Sequence, residues 1–345
     1  MITGLHYLRA IAAMLVVGHH AVSYFPRPDE WTSFGEAGVD VFFVISGFVM
    51  AWTTRHAGPT PTQAAFDFLV RRLIRVVPLY WLALLWITKR DLVHLELDPA
   101  VLLDFVFLPR FNPDHFNHIF PVLVPGWTIN YEMFFYAVFA ISLLFGKYQY
   151  AIIFPALAFL ITLGHLVEYP SAFGQFYTSS IMAEFLYGIL ICKWVQRHGQ
   201  DHHPRLAWLA LISGFVGLAL LWPGDHIPRA YVAGPLAALI VYAGILAFNG
   251  WHVPWLHRLA DASFSIYLTH LFTFRLSRTL LQGLPPDQPS PVAMVVAVGV
   301  QLAVAAAVGL LVHRWIEQPL TRYLTRRFLK PRRLATEPGM STSGS

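Results

Sequence analysis

The chain is 345 residues long, 56% hydrophobic, 15% aromatic and only 12% charged, with 24 Lys and Arg against 19 Asp and Glu and a single cysteine. A charged fraction about half the roughly 25% of a soluble domain leaves too few groups to solvate a globular surface, which excludes a water-soluble enzyme and predicts a lipid-embedded chain. Cys192 alone excludes an internal disulfide and any two-cysteine metal site, and the net charge of +5 sits at segment ends, where it suits lipid headgroups rather than nucleic acid.

The predicted elements, in chain order, are windows of the roughly 17 to 25 apolar residues that a helix needs to cross hydrocarbon. The first, at 5–25, ends in HHAVSYFPRP instead of a small-residue cleavage site and reads as a retained helix, not a signal peptide. Spans follow at 36–54 and 73–90. Residues 91–126 mix Pro, Asn and His with short apolar runs and read as a long loop dipping back toward the membrane. The remaining spans lie at 127–145, 148–167, 174–194, 206–222, 231–248, 261–281 and 291–313, separated by breaks such as EYPS, WPGDHIP and GLPPDQPSP. The expected fold class is an all-α integral membrane protein of about ten transmembrane helices, forming one domain over 1–333 with a disordered polar tail at 334–345. A cytoplasmic N-terminus puts most of the lysines and arginines inside, including Arg71, Arg72, Arg75 and the RRFLKPRR tail, so the positive-inside bias predicts both termini cytoplasmic.

Polar residues inside these spans carry the chemistry. Arg9 and His20 share the first span with ten residues between them. Eleven steps of about 100° return to within roughly 20° of the same face, some 16 Å further along, so an arginine near the inner boundary and a deeper imidazole look into one interior. Ionisable groups at such depths are costly in hydrocarbon and mark a polar pathway or a reactive site. Asp40 sits at the depth of His20 in the second span, and Glu132 lies about one and a half turns into the fourth from outside. Arg72 and Arg75 stand where the third span emerges inside, and His270 falls near the middle of the ninth. The pattern is a basic inner mouth leading to an outer chamber of imidazole and carboxylates. Ser46 and Gly47 read as small residues for close helix packing, and His19 as a helix–helix hydrogen bond about 100° away from His20. The loop histidines 115, 118, 202 and 203 lack the cysteine or carboxylate partners of a metal site.

The pieces LRAIAAMLVVGHH, GVDVFFVISGFVM, RRLIRVVPLYW, GWTINYEMFFY, EFLYG, DASFSIYLTHLF and RWIEQPL occur in one order over residues 5 to 320. Together they resemble the membrane-bound acyltransferase 3 family, and within it the exopolysaccharide O-acyltransferases. The resemblance implies a ten-helix enzyme of the bacterial inner membrane that takes an acyl group, most simply acetyl, from cytoplasmic acyl-CoA and places it on an extracytoplasmic or lipid-linked carbohydrate hydroxyl, with polysaccharide-assembly proteins as further partners. It also implies roles for Arg9 and His20, which match the family's Arg-x10-His pair, and for Arg72 and Arg75, which match its Arg-x-x-Arg motif. Where the broader family often carries a second glutamate after the one matched by Glu132, this chain has Met133, which argues against a paired-carboxylate mechanism.

Elementary chemistry agrees with that resemblance. A CoA head carries several phosphate charges, which guanidinium groups bind bidentately, and Arg72 and Arg75 at i and i+3 share a helical face. Activating a hydroxyl requires a base titrating near neutral pH, the usual role of histidine, so His20 is the candidate base. A carboxylate on the other ring nitrogen would fix its tautomer; Asp40 and Glu132 are both candidates, and the sequence does not choose between them. Intramembrane His, Arg and Glu also suit a transporter of a glycan or organic acid, or an acyltransferase for a small molecule or lipid. The Arg-x-x-Arg motif and the lack of an inverted repeat favour the enzyme.

Overall fold

The computed structural model describes residues 2–22, 33–55, 60–94, 98–115, 118–199, 203–221, 227–280 and 290–329. The tail expected at 334–345 lies outside the described residues. The helices are α1 (Thr3–Val22), α2 (Ala37–Thr54), α3 (Pro61–His94), α4 (Val101–Phe105), α5 (Gly126–Leu143), α6 (Gln149–Leu166), α7 (Ala172–Tyr177), α8 (Met182–His198), α9 (Pro204–Leu220), α10 (Ala233–Ala247), α11 (Pro254–Asp261), α12 (Ser263–Leu280), α13 (Pro291–Val312) and α14 (Gln318–Phe328). A π-helical turn, His313–Glu317, joins the last two. Among the described residues there is no strand, only an isolated bridge between Asn112 and His118.

Apolar side chains cover the outside of the bundle as well as filling its core. Trp81 and Trp86 of α3, Phe159 and Leu166 of α6, Leu206 and Leu220 of α9, and Val292 and Val295 of α13 all face outward, while Asp40, Glu184 and His270 are fully buried. Hydrocarbon selects this arrangement, because apolar surface needs no partner there and polar groups must find theirs inside. Among the described residues, five segments are long and apolar enough to cross a membrane: Thr3–Val22, Ala37–Thr54, Gly146–Leu166, Ala172–His198 and Val292–Phe328.

α1 packs against α2, α10, α11, α12 and α13, and α2 in turn lies between α1, α8 and α10. With no hydrophobic drive between helices in lipid, close approach is what makes such contacts stable. At the α2–α8 crossing each helix offers a glycine to the other's backbone: a methyl on Gly47 would strike the Phe185 carbonyl, and one on Gly188 the Val44 carbonyl. Gly47 thus takes the packing role expected of it.

The expected span at 174–194 falls within Ala172–His198, which is built of α7 and α8; at their join Thr178 Oγ1 donates to Gly174 O (2.7 Å) and the Ser179 hydroxyl accepts from Ile181 N (3.4 Å). Two expectations are corrected. α3 runs well beyond 73–90: its first turns are amphipathic, with Ala64, Ala65 and Phe68 inward, and Thr60 Oγ1 accepts from Gln63 N (3.2 Å) at its start. Arg72 and Arg75 therefore sit inside a helix, not at its exit. The region 91–126 is more ordered than a loop, holding the end of α3, α4 and a 3-10 turn around buried Asp104, which Arg110 engages through Nε (2.9 Å) and Nη2 (3.2 Å). Val122 N donates to the same carboxylate (2.8 Å), and Trp81 Nε1 ties α3 to Phe105 O (2.8 Å).

Gly188→Val should destabilise the protein by about 3 kcal/mol, the upper end for overpacking. Gly299→Ala, on α13 where an added methyl meets nothing, should stay within about 0.5 kcal/mol of wild type. Unfolding in detergent, followed by tryptophan fluorescence, measures both.

Candidate active site

Five helices close around a cavity of about 100 Å³. α1 contributes Arg9, α2 Ser46, α3 Arg72 and Arg75, and α5 Thr128, Glu132 and Tyr136, with Tyr267 of α12 on the wall as well. The i, i+3 spacing of Arg72 and Arg75 brings both guanidiniums to this wall, while Arg71, about 100° round the helix, is exposed. The Arg72 guanidinium lies 5.5 Å from the Phe68 ring centre and 5.6 Å from that of Tyr136, within cation–π range.

Arginine stays protonated, so this wall carries three fixed positive charges. Among the described residues the one carboxylate on it is Glu132, which accepts a hydrogen bond from Ser46 Oγ (2.9 Å). Glu317 lies within electrostatic reach of Arg9 and Arg75. It is held in the π turn by His313 Nδ1 (2.8 Å) and Ser265 Oγ (2.7 Å). The wall's own balance is net positive, which suits an anion.

His20 is not part of the cavity lining and lies three helical turns, about 16 Å, further along α1 than Arg9. Its Nδ1 faces the Val16 carbonyl at 2.9 Å. Because a carbonyl only accepts, this contact places the proton on Nδ1 and leaves a lone pair on Nε2, the tautomer that a base needs. The ring packs 4.8 Å, centre to centre, from that of His270 on α12. His270 is one turn beyond Tyr267, whose hydroxyl bonds Thr128 Oγ1 (2.7 Å) and Pro125 O (3.0 Å) at the cavity wall. Arg9, Tyr267, His270 and His20 thus follow one column.

Neither carboxylate considered as the partner of His20 reaches it. Among the described residues, Asp40 is fully buried and engaged by Arg229, through Nε (3.1 Å) and Nη2 (2.6 Å). Arg229 also reaches the Glu36 carboxylate (3.2 Å) and the Glu36 carbonyl (3.2 Å). Removing either partner of such a pair would leave an uncompensated buried charge, and the arginine comes from a 3-10 turn at Arg229–Tyr231 that precedes α10. Glu132 is turned to the arginines. His19 points elsewhere than His20, with Nε2 3.5 Å from Glu36 Oε1, the inter-element contact expected of it.

Sequence reasoning did not identify Arg229, Glu317 or the His20–His270 contact. Glu317 and His270 do lie in the motifs RWIEQPL and YLTH, and a lone arginine in IPRAYVAG, at the foot of an apolar run, was the available signal for Arg229. Glu184, in EFLYG, is likewise fully buried within electrostatic reach of Asp40 and Arg229.

Comparison with known proteins identifies the family. The model of the acyltransferase domain matches residues 2–311. The exopolysaccharide production protein ExoZ of Rhizobium meliloti (strain 1021) is 34% identical over 84% of this chain and 90% of its own. The acyltransferase MdmB of Streptomyces mycarofaciens is 24% identical over 90% of this chain and 86% of its own. The putative membrane-bound transacylase BcsY of Komagataeibacter xylinus is 27% identical over 76% and 70%. No solved structure matches. With a family model covering nearly the whole helical bundle and relatives aligned along most of their length, the chain belongs to the acyltransferase 3 family and is a membrane O-acyltransferase.

Proposed function

We propose that this enzyme moves an acyl group, most simply acetyl, from acyl-CoA on the cytoplasmic side to a hydroxyl of an extracytoplasmic or lipid-linked polysaccharide. The observation that carries the reading is the column itself: a cation-rich cavity at Arg9, Arg72 and Arg75, and an imidazole with a free Nε2 lone pair about 16 Å beyond it. Phosphates of the donor are held by the guanidiniums, and the flexible arm carries the thioester along the column toward His20. His20 Nε2 takes the proton of the acceptor hydroxyl as its oxygen attacks the thioester carbonyl; the C–S bond breaks and the proton passes to the departing thiolate. The printed name of ExoZ, an exopolysaccharide production protein, supports a polysaccharide acceptor.

The same reading takes α1, α2, α3, α5, α6, α8, α9, α10, α12 and α13 as ten spans of a bacterial inner-membrane protein with both termini in the cytoplasm. The basic segments around Arg71 and Arg327 then lie inside. Asp40 falls on the structural side of this scheme, as partner of Arg229, and Glu132 acts on charge balance in the donor cavity.

Replacing His20 by Ala should lower acyl transfer about 10²- to 10⁴-fold, or roughly 3 to 5 kcal/mol of barrier, with acetyl-CoA affinity unchanged. His19→Ala should be far milder, and equal loss in both would assign the histidines to structure. Arg75→Lys keeps the charge but removes the planar fork, so calorimetric titration with acetyl-CoA should show affinity about 10- to 100-fold weaker. Wild-type affinity in that variant sinks the phosphate assignment and favours a transporter. For sidedness, cysteines at Thr60 and Asp114 in a Cys192→Ala background provide the test. An impermeant maleimide applied to intact cells should label the Asp114 site and spare the Thr60 site.

A further inference from the structure

Toward the C-terminal ends of α8 and α10 lies a second hollow, a groove of about 570 Å³ that shares no residue with the cavity above. Leu190, Lys193, Trp194 and Arg197 follow one another along it at i, i+3, i+4 and i+7, the spacing that keeps side chains on one helical face. All four are exposed. Trp194 is fixed there on two sides: its Nε1 donates to the Tyr242 hydroxyl of α10 (3.3 Å), and the His198 ring lies 3.9 Å from its own, centre to centre. Lys193 Nζ sits 4.0 Å from the centre of the Tyr150 ring on α6, a contact that leaves its charge uncancelled. Among the described residues no carboxylate lines the groove, and no ion pair involves Lys193 or Arg197. Two cations four residues apart on a helix repel one another, so an anion between them relieves the pair.

We propose that this groove binds one anionic phospholipid, with its phosphate at Lys193 and Arg197 and its acyl chains along Leu190 and Ile191. The groove joins two chemistries, cations at one end and an apolar floor at the other, and a phosphate carried on alkyl chains fits both at once. Arg197 can take two phosphate oxygens with its planar fork, and Lys193 adds a point charge beside it. A zwitterionic headgroup would bring an ammonium of its own next to two cations, so a lipid of net negative charge is the better match. Basic pockets between membrane helices on the cytoplasmic side hold acidic headgroups in general, and the topology proposed above puts the C-terminal ends of α8 and α10 on that side. Snorkelling to bulk lipid would need only the two long side chains. Here the immobilised Trp194 adds a rigid wall, which turns a charged border into a shaped site. Only the choice of leaflet rests on the proposed topology; the binding depends on neither the donor nor the acceptor of acyl transfer.

Lipid retention tests the site. The full chain, purified in detergent, is offered equal amounts of phosphatidylglycerol and phosphatidylethanolamine with the same acyl chains, and the bound lipid is counted by native mass spectrometry. Wild type should hold phosphatidylglycerol in preference. Lys193→Gln with Arg197→Gln should weaken that retention about 30-fold, or about 5-fold for each cation removed. Lys193→Arg with Arg197→Lys keeps both charges and should keep the preference. Arg326→Gln with Arg327→Gln removes the same charge from exposed positions on α14 and should match wild type. For location, phosphatidylglycerol brominated on its acyl chains should quench tryptophan emission more than brominated phosphatidylethanolamine does, and this excess should vanish in Trp194→Phe. A wild type that holds both lipids equally would overturn the proposal. So would a Lys193, Arg197 glutamine pair that loses no more phosphatidylglycerol than the α14 pair, since the preference would then follow net charge alone. None of these measurements involves acyl transfer, so their outcome is independent of the donor and acceptor reading.

Discussion

A guanidinium inside a helix bundle keeps its proton, so every arginine drawn into the interior must meet an anion or wait for one. This constraint divides the buried arginines into two kinds. Arg229 is answered by two carboxylates, with Asp40 held in both of its nitrogen forks and Glu36 beside it. Arg9, Arg72 and Arg75 instead share a cavity wall on which, among the described residues, Glu132 is the one carboxylate. The first arrangement is closed and ties α2 to the turn before α10; the second is open and leaves a cavity wall with a net positive charge. Both would look alike in a hydropathy plot.

α2 serves the two arrangements from different faces. Asp40 and Ser46 are six residues apart, so their side chains leave the helix about 120° from one another. One meets Arg229, the other hands a hydrogen bond to Glu132, and Gly47 lets α8 press against the backbone between them. A helix charged with three contacts of such different chemistry has little freedom to shift, which keeps the open cavity from collapsing onto its own arginines.

Much of this was legible from local pattern. The eleven-step spacing of Arg9 and His20, the i, i+3 spacing of Arg72 and Arg75, and the positions of most long helices follow from periodicity and apolar length, which the sequence displays directly. What failed were statements about partners. Asp40 and Glu132 matched His20 in depth, but depth along the membrane normal says nothing of direction around it, and their partners Arg229 and Ser46 come from 189 and 86 residues away. The amphipathic start of α3 and the join between α7 and α8 escaped because an apolar window averages over the polar residues that make them. His270 was visible as an intramembrane histidine, yet only packing brings α12 against the end of α1.

The π turn at His313–Glu317 closes its hydrogen-bonded rings over one residue more than an α-helix does. A turn that closes over five residues where an α-helix closes over four absorbs one surplus residue with little net rotation. Deleting one residue there would restore an unbroken α-helix and leave the face that α14 sets against α3, and the exposed Arg322, Arg326 and Arg327, nearly where they are. The change would fall on the turn itself, where His313 and Ser265 hold the Glu317 carboxylate, so the surplus residue serves the placing of that one charge.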